Sequence, residues 1–593
     1  MRIRSHALPL LSPLLLAWAA SARAATVISV SHPTENLSIG QATATFIYGN
    51  VQPPDARLKI NGEAVQLYKT GGFLAFLPVQ PGTFTFHCEA TLSTETVVFD
   101  RHIRVTAPLA ASPSDRKFLD EDYTLPRADM ELRSGDWVRV QLKATAGMKG
   151  TYDIKGVREN LPLVEQSTAG LYAGAYLLQP EDKADGAEIR FYLKGAPGRI
   201  KTTAKGKLSV LRGSPKIAYA WPAKAESVIV RTAPDSGYMM FLSTGTRVVI
   251  DGRVGGEARL LLSDGETGWA EASSLKFLPP DTPPPQTELG TIHTRAAVDG
   301  AQVKLSLSEK VPYTFEQPEP DLLKVRLYYT FAHVEWIVYD PQDKFVKEVR
   351  WRQPSKGVAE VEIHLAGPLW GFDGNHESGG LRVDLRRPPA FAAAPESPLK
   401  DRLIVLDPGH SPSDPGRVTP TGHTEREINL LEAMALKPLL EKEGAKVLLT
   451  RDTNDAEVPL HERVRLAVMN RADAYISLHN NALPNNVNPF EVPRGYSVFY
   501  YHPLSLGLAR HVHEAYQKDF LDLADEGFRY GNLHVARTSL MPSVLVESAY
   551  FIFPEQEEML LSESFNKKLA KTLLEGLRSF FAAEREAQKR AEP

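Results

Sequence analysis

The chain has 593 residues, which is too many for one hydrophobic core and predicts about four domains. Its hydrophobic content of 43% and charged content of 24% are typical of globular proteins. The net charge of −4, without any basic run, gives no reason to expect nucleic acid as a partner. Cys88 is the only cysteine, which excludes an intrachain disulfide and a thiolate metal site. We expect it to be a buried, inert thiol.

The N-terminus has the residue order of a secretory signal peptide. Arg2 and Arg4 precede an apolar run over 7–20, and small residues over 21–24 suit a cut after Ala24. The run is too short to span a membrane, and no later stretch reaches about 18 consecutive apolar residues. The sequence therefore predicts a signal peptide at 1–24 and an exported protein with no transmembrane segment. The periplasm is favoured over an external wall because no glycan-binding repeat is evident.

Three proline-rich seams, at 107–115, 278–288 and 386–398, divide the chain, and their composition predicts extended spacers. Between them, apolar and polar residues alternate with the period of half-buried strands. We therefore predict a multidomain fold with all-β modules upstream. The modules are an immunoglobulin-like domain at 25–108, a second β domain at 117–213, a small barrel at 214–279 and a β-sandwich at 287–388.

Two of these modules resemble known families. The segments "SVIVRTAPDSG", "GTRVVIDG" and "ETGWAEASSL" resemble bacterial Src-homology-3-like barrels. That resemblance implies a cell-wall peptide partner, and a simple spacer domain is the alternative. The block with "VKLSLS", "LKVRLYY", "AEVEIHL" and "LRVDLR" looks like the AMIN-type β domains that precede some wall amidases, mainly by its position.

Residues 401–586 change to strands that alternate with helical stretches, which predicts an α/β domain with a mostly parallel sheet. Ligands of such sheets bind at the carboxyl ends of the strands. Three buried strands end at residues that bind metals or move protons: "LIVLD" precedes His410, "AYISL" precedes His479 and "VLV" precedes Glu547. We expect these side chains to converge on one region.

The first helix supplies a fourth candidate. Thr424 and Glu427 have the spacing of a capping box, so Glu427 has a structural role, whereas Glu425 on the first helical residue does not. Two histidines and one carboxylate make an open zinc site, and a second carboxylate can serve as a base. This combination is suited to amide hydrolysis. The spacing alone leaves open which of Glu425 and Glu547 binds the metal.

Residues 401 to about 583 resemble the zinc-dependent N-acetylmuramoyl-L-alanine amidases of bacterial cell walls. The matching segments are "LDPGH", "TEREINL", "VLLTRDTN", "LHERVRLA", "ADAYISLHNNA" and "MPSVLVESAYF", in the family's order. The resemblance implies that His410, Glu425 and His479 bind Zn²⁺ and that Glu547 is the catalytic base. It also implies peptidoglycan as substrate, cut between the lactyl group of N-acetylmuramic acid and L-alanine of the stem peptide.

Some features depart from the family or leave alternatives open. The first histidine is followed by "HSPSDPG" rather than glycines, and only a short loop follows "HNNA", so we expect no self-blocking helix. Whether a protein activator is required stays open. The alternatives to an amidase are another zinc peptidase of the stem peptide and a non-catalytic wall-binding scaffold.

Several other residues are weaker candidates. We expect His511 and His513 to be surface residues, and His423 or His534 could contact substrate. Asn480 is expected to brace the loop after its strand.

Overall fold

The computed structural model describes residues 25–107, 109–222 and 227–591, and the predicted signal peptide at 1–24 lies outside them. The described chain consists of β-strands up to residue 386, and helices longer than one turn begin only at residue 425. This confirms a multidomain chain with a mostly β N-terminal region and a C-terminal α/β domain. No described helix is both long and apolar enough to cross a membrane.

The first β region forms two sheets around one core. The sheets have the strand orders β1-β3-β6 and β2-β8-β7-β4-β5. Cys88 is completely buried in the core between them, and burial raises the pKa of its thiol to about 12, so the prediction of a buried thiol is confirmed. The strands are β1 (Val27–His32), β2 (Leu37–Gln41), β3 (Ala44–Gln52), β4 (Arg57–Ile60), β5 (Glu63–Val65), β6 (Gly72–Pro78), β7 (Gly82–Leu92) and β8 (Glu95–Thr106).

The next two β regions share a sheet. The first region contains β9 (Leu119–Leu125), β10 (Met130–Leu132), β11 (Trp137–Ala144), β12 (Lys149–Ile154), β13 (Arg158–Glu165), β14 (Leu171–Leu177), β15 (Ile189–Gly195), β16 (Gly198–Thr203) and β17 (Leu208–Val210). Of these, β10 and β17 lie in the shared sheet, and the other seven form a separate sheet in the order β16-β15-β12-β13-β14-β11-β9. The second contributes β18 (Lys216–Ala220), β19 (Ser227–Arg231), β20 (Tyr238–Ser243), β21 (Arg247–Val254), β22 (Glu257–Ser263), β23 (Glu266–Glu271) and β24 (Leu275–Phe277). β10 pairs with both β17 and β21, so hydrogen bonding continues across the predicted boundary at residue 213.

The fourth β region contains a five-stranded and a four-stranded sheet. Their orders are β31-β26-β27-β35-β34 and β28-β29-β33-β32, and aliphatic residues from both form one core. The strands are β25 (Thr287–Leu289), β26 (Ile292–Ala297), β27 (Gly300–Ser306), β28 (Tyr313–Glu319), β29 (Leu322–Tyr328), β30 (Thr330–Ala332), β31 (Ile337–Val338), β32 (Val346–Ser355), β33 (Val358–Leu365), β34 (Gly371–Glu377) and β35 (Gly380–Arg386).

The C-terminal region is a six-stranded sheet with apolar clusters on both faces. The order is β37-β36-β38-β41-β39-β40, and the first four strands run parallel while β39 runs antiparallel to β41. The strands are β36 (Leu403–Pro408), β37 (Lys446–Leu449), β38 (Ala474–Asn481), β39 (Gly495–Tyr500), β40 (Ala524–Tyr530) and β41 (Ser543–Tyr550). The helices are α1 (Glu425–Lys442), α2 (Leu460–Met469), α3 (Leu506–Asp519), α4 (Pro554–Leu561) and α5 (Glu563–Ala591).

The upstream regions pack directly on the C-terminal domain. Phe46 and Tyr48 of β3 belong to the same buried cluster as the C-terminal sheet and helices. Trp370 enters this cluster too, and its indole donates a hydrogen bond to the carbonyl of Asp473 (3.1 Å). The buried guanidinium of Arg386 donates to the carbonyls of residues 472 and 540. The C-terminal domain therefore shares its core with the β regions.

The third proline-rich seam is not a spacer. Beyond β35 it forms neither helix nor strand, but Phe391 packs edge-to-face against Trp370 and Phe581, with ring centroids 6.4 and 6.2 Å apart. Arg585 of α5 donates hydrogen bonds to carbonyls of the same segment. The segment is irregular beyond β35, as predicted, but it is not a free spacer, because the partly buried Phe391 packs on the shared core and proline composition does not reveal such a contact.

Candidate metal centre

The register of the C-terminal sheet places three of the predicted residues at one edge. His479 and Glu547 lie opposite one another on the neighbouring parallel strands β38 and β41. On the other side of β38, β36 ends at Pro408, and the chain reaches His410 two residues later. The carboxyl ends of parallel strands meet at the same edge, so the fold brings these side chains together.

The start of α1 directs a carboxylate to this edge. The predicted capping box is confirmed: the Glu427 N–H donates to Thr424 Oγ1 (3.3 Å), and the Thr424 N–H donates to Glu427 Oε2 (2.9 Å). The Glu427 side chain accepts a capping hydrogen bond at the start of the helix. Glu425, by contrast, is buried and contacts the two histidines. The helix continues through Pro438 to Lys442.

His410, Glu425 and His479 form a cluster that suits a metal ion. Glu425 Oε2 lies 3.0 Å from His410 Nε2, and Glu425 Oε1 lies 3.1 Å from His479 Nδ1. One ligand atom from each residue falls within 4.8 Å of the others. Burial raises the pKa of Glu425, but its hydrogen bonds with the two histidines outweigh this and hold it at about 2. An ionised carboxylate between two imidazoles is the donor set of an open zinc site.

His410 is held in an unusual backbone conformation by two buried arginines. Its φ of 71° lies in the left-handed region, which is costly for a residue other than glycine. Arg451 and Arg463 donate hydrogen bonds to the carbonyls of residues 408–410. Arg463 also donates to Asp407 Oδ1 (2.6 Å), a buried carboxylate. Together these contacts fix the direction in which the His410 ring points.

Two glycines allow the close approach of the three ligands. A Cβ at Gly409 would lie 2.2 Å from the His479 ring. Gly416 has a φ of 72°, and a Cβ there would lie 2.5 Å from Glu425 Oε2. Any larger residue at either position would displace a ligand.

Glu547 is a half-buried carboxylate in β41. Its Oε2 atom has no hydrogen-bond partner among the described residues. Burial, together with the charges of Glu425, Glu432 and Glu526, raises the pKa of Glu547 well above its ordinary value. A raised pKa brings a carboxyl group closer to the range in which it can both accept and donate a proton, as a general acid–base residue must.

A buried polar network supports the other face of β38. The Asn480 side chain donates hydrogen bonds to Glu432 Oε1 (2.9 Å) and to Asn429 Oδ1 (3.1 Å), and its backbone N–H donates to Glu425 Oε1 (3.3 Å). Asn480 therefore braces β38 against α1 beside the centre, whereas the sequence predicted that it braces the loop after its strand. Burial raises the pKa of Glu432 to about 8.

A cleft of about 570 Å³ opens beside the metal-ligand cluster. His410 and His479 lie on its wall. The rest of the C-terminal lining includes residues 457–460 and 532–535. Three residues of the third β region, Arg231, Gly237 and Tyr238, complete it.

The remaining histidine candidates differ in their burial and in whether they line the cleft. His534 lines the cleft, and His423 does not. His511 is half-buried, and the prediction of a surface position is wrong for His513, which is buried and hydrogen-bonds to Asp525 (2.6 Å). The partner of His513 lies on β40, so the spacing within the helix could not reveal it.

Sequence reasoning missed Arg451, Arg463 and Glu432. Each is an ionisable side chain buried next to the centre, with exposed fractions of 1–2%. A usable signal existed for Arg451, because it lies two residues beyond β37, at the edge of the sheet where the parallel strands end. Nothing in the spacing identified the other two, whose partners come from distant segments.

Comparison with known proteins locates a family match in the C-terminal domain. Residues 404–579 match the family model described as N-acetylmuramoyl-L-alanine amidase, so the predicted family resemblance is confirmed. A probable cell wall amidase LytH of Staphylococcus epidermidis is 36% identical over 198 residues, which are 33% of this chain and 64% of that protein. The Staphylococcus aureus relative of the same name is 36% identical over 191 residues, 32% of this chain and 61% of the relative. The chain thus spans less than two thirds of these relatives.

Solved structures with similarity to the chain cover about a third of it or less. The amidase AmiC2 of Nostoc punctiforme has 30% identity and a TM-score of 0.29, covering 30% of this chain and 97% of the other. The catalytic domain of CwlV, an N-acetylmuramoyl-L-alanine amidase from Bacillus (Paenibacillus) polymyxa, has 28% identity and a TM-score of 0.28, covering 30% and 98%.

Proposed function

We propose that the chain, whose residues 404–579 belong to the N-acetylmuramoyl-L-alanine amidase family, is a peptidoglycan hydrolase. It cleaves the amide bond between the lactyl group of N-acetylmuramic acid and the L-alanine of the stem peptide. The observation that carries this proposal is the cluster of His410, Glu425 and His479, with ligand atoms within 4.8 Å, in the domain that also presents Glu547.

The metal of the proposal is Zn²⁺, held by His410, Glu425 and His479. Nitrogen and carboxylate donors without thiolates suit this ion, and the low pKa of Glu425 keeps one ligand anionic. Bound zinc would supply an activated water near neutral pH and would polarise the substrate carbonyl. Arg451 and Arg463 keep the His410 ring oriented through the carbonyls that they hold.

Glu547 is the general base and acid of the proposed reaction. Its half-buried carboxylate can accept a proton from the attacking water and then donate it to the amine nitrogen of the departing L-alanine. Burial beside other carboxylates raises its pKa, which favours the protonated form needed in the second step. Such a residue contributes about 10²–10⁴-fold to the rate.

The rest of the chain is proposed to deliver the catalytic domain to the wall. The proposal keeps the predicted domain bounds. They are an immunoglobulin-like domain at 25–108, a second β domain at 117–213, a Src-homology-3-like barrel at 214–279, an AMIN-like β-sandwich at 287–388 and the catalytic domain at 401–586. Buried clusters centred on each of the four β regions support this division, and the cluster of the 214–279 region also includes Tyr328 and Val358 of the next region. The protein is exported by the 1–24 signal peptide and acts in the periplasm. Residues 482–494 form no helix, which supports a centre that this segment does not block.

Zinc content and hydrolysis rate, measured together on the 25–593 chain, test the proposal. We expect about one zinc per chain by mass spectrometry, and we expect His479→Ala to lose both zinc and activity against labelled peptidoglycan. His333→Ala is the matched control, since that imidazole is mostly exposed on another domain. Glu547→Gln should retain zinc and lose at least about a hundredfold in rate, while the exposed Glu558→Gln should not. Wild-type zinc content in His479→Ala, or wild-type rate in Glu547→Gln, would contradict the assignment.

A further inference from the structure

The cleft beside the metal-ligand cluster is lined by two domains. His410 and His479 lie in its C-terminal wall, and Arg231 and Tyr238 of the region at 214–279 lie in the same cleft. These residues are more than 170 positions apart in the sequence. A substrate that reaches the histidines therefore enters a space that the C-terminal domain does not form alone.

Arg231, Gly237 and Tyr238 form the side of the cleft that we call the upstream wall. Hydrogen bonds to its backbone hold this wall against the C-terminal domain. Asn532 Nδ2 donates a hydrogen bond to the Tyr238 carbonyl (2.9 Å), and the Arg537 guanidinium donates to the carbonyls of residues 238 and 239 (3.3 and 3.0 Å). The His534 ring packs edge-to-face against Tyr238, with centroids 5.9 Å apart. Gly237 is also constrained, because a Cβ there would lie 2.8 Å from Asn532 Nδ2. The upstream wall is therefore packed against the C-terminal domain and forms a fixed part of the cleft.

The wall carries the positive charge of Arg231, and Glu257 lies near enough to interact with it electrostatically. Arg231 is half-buried, donates a hydrogen bond to the Ser236 carbonyl (2.8 Å) and lies 5.0 Å over the Tyr238 ring. Among the described residues, no carboxylate lies within ion-pair distance of its guanidinium. The acidic residues of the same cleft have other contacts, Asp407 with Arg463, Asp414 with His410 and Glu457 with Ser413.

We propose that Arg231 is a specificity-determining residue that binds a free carboxylate of the peptide portion of the substrate. This inference rests on the proposed amidase function. A glycan of N-acetylated sugars offers no anionic group once the lactyl carboxyl is in amide linkage, whereas the stem peptide carries free carboxylates. A guanidinium binds a carboxylate through paired, charge-assisted hydrogen bonds. Tyr238 supplies an adjacent aromatic surface, so the peptide lies between the upstream wall and the metal centre.

The test uses two muramoyl peptides that differ only in a free or an amidated peptide carboxylate. For the 25–593 chain we expect kcat/KM to favour the free carboxylate by about tenfold. In Arg231→Gln this preference should nearly disappear, mainly through KM, and Arg231→Lys should restore part of it. Arg253→Gln is the matched control, because Arg253 also donates to a backbone carbonyl but does not line the cleft, and it should keep the preference. No preference in the wild type, or an unchanged preference in Arg231→Gln, would overturn the inference.

A binding measurement separates failure of this inference from failure of the proposed function. Calorimetry with the free stem peptide requires no turnover, and we expect Arg231→Gln to weaken its Kd about tenfold while Arg231→Lys weakens it less. Unchanged affinity in a folded Arg231→Gln chain would refute the role of Arg231 even if hydrolysis is observed. Absence of hydrolysis by the wild type, with the expected loss of affinity in the variant, would instead refute the amidase assignment alone.

Discussion

Replacing Arg463 by alanine should loosen the strand that carries the first histidine. Arg463 is 2% exposed, and it donates hydrogen bonds to Asp407 Oδ1, to Ser411 Oγ and to three backbone carbonyls. Its removal leaves the buried Asp407 carboxylate hydrogen-bonded to the hydroxyls of Thr450 and Ser477 but without its guanidinium partner. Breaking a buried ion pair in this way costs about 3–5 kcal/mol.

Hydrogen exchange followed by mass spectrometry measures this cost locally in the multidomain chain. We expect the amides of β36 and β38 in Arg463→Ala to exchange about a hundredfold faster, corresponding to about 3 kcal/mol. Arg465→Ala is the control on the same helix, because its ion pair with Glu462 is partly exposed and worth at most about 1 kcal/mol. If both variants exchange like the wild type in β36, the hydrogen bonds of Arg463 do not stabilise the end of this strand.

Two further predictions concern the core of the C-terminal domain. Burial raises the pKa of Glu432 to about 8 from 4.5, so stability should fall as pH rises through this interval, and Glu432→Gln should raise the melting temperature more at pH 8 than at pH 5. An equal shift at both values, by scanning fluorimetry, would contradict the assignment. Trp370→Ala should reduce the free energy of unfolding in urea by about 3–5 kcal/mol, because this side chain is 3% exposed and stacks on Phe580. Trp336→Ala, 67% exposed, should change it by less than about 0.5 kcal/mol, and equal losses would refute the shared core.

The parts of the site that depend on local pattern could be predicted from the sequence. The apolar runs before His410, His479 and Glu547 indicated strands of a parallel sheet, and the carboxyl ends of such strands share an edge. The capping box at Thr424 was visible as a spacing, and its assignment separated Glu427 from Glu425. These inferences needed only hydrophobic period and turn chemistry.

The parts that depend on tertiary contacts could not be predicted. Arg463 reaches the carbonyls after β36 from a helix that begins some 50 residues later, and no periodicity encodes that contact. His513 of helix α3 is buried with a hydrogen bond to Asp525 of strand β40, and the helix sequence alone does not reveal that partner. The position of Tyr238 beside the cleft depends on how one domain docks on another, which composition and alternation do not specify.

Mass spectrometry of the new amino terminus tests the central claim most directly. Purified peptidoglycan is digested with the 25–593 chain and, in parallel, with Glu547→Gln. The account predicts stem peptides that begin with L-alanine, together with glycan bearing free lactyl carboxyl groups, and neither product from the variant. Stem peptides that begin at a later residue would show a peptidase instead, and an intact wall after digestion by the zinc-loaded wild type would show a binding protein; either result would contradict the account.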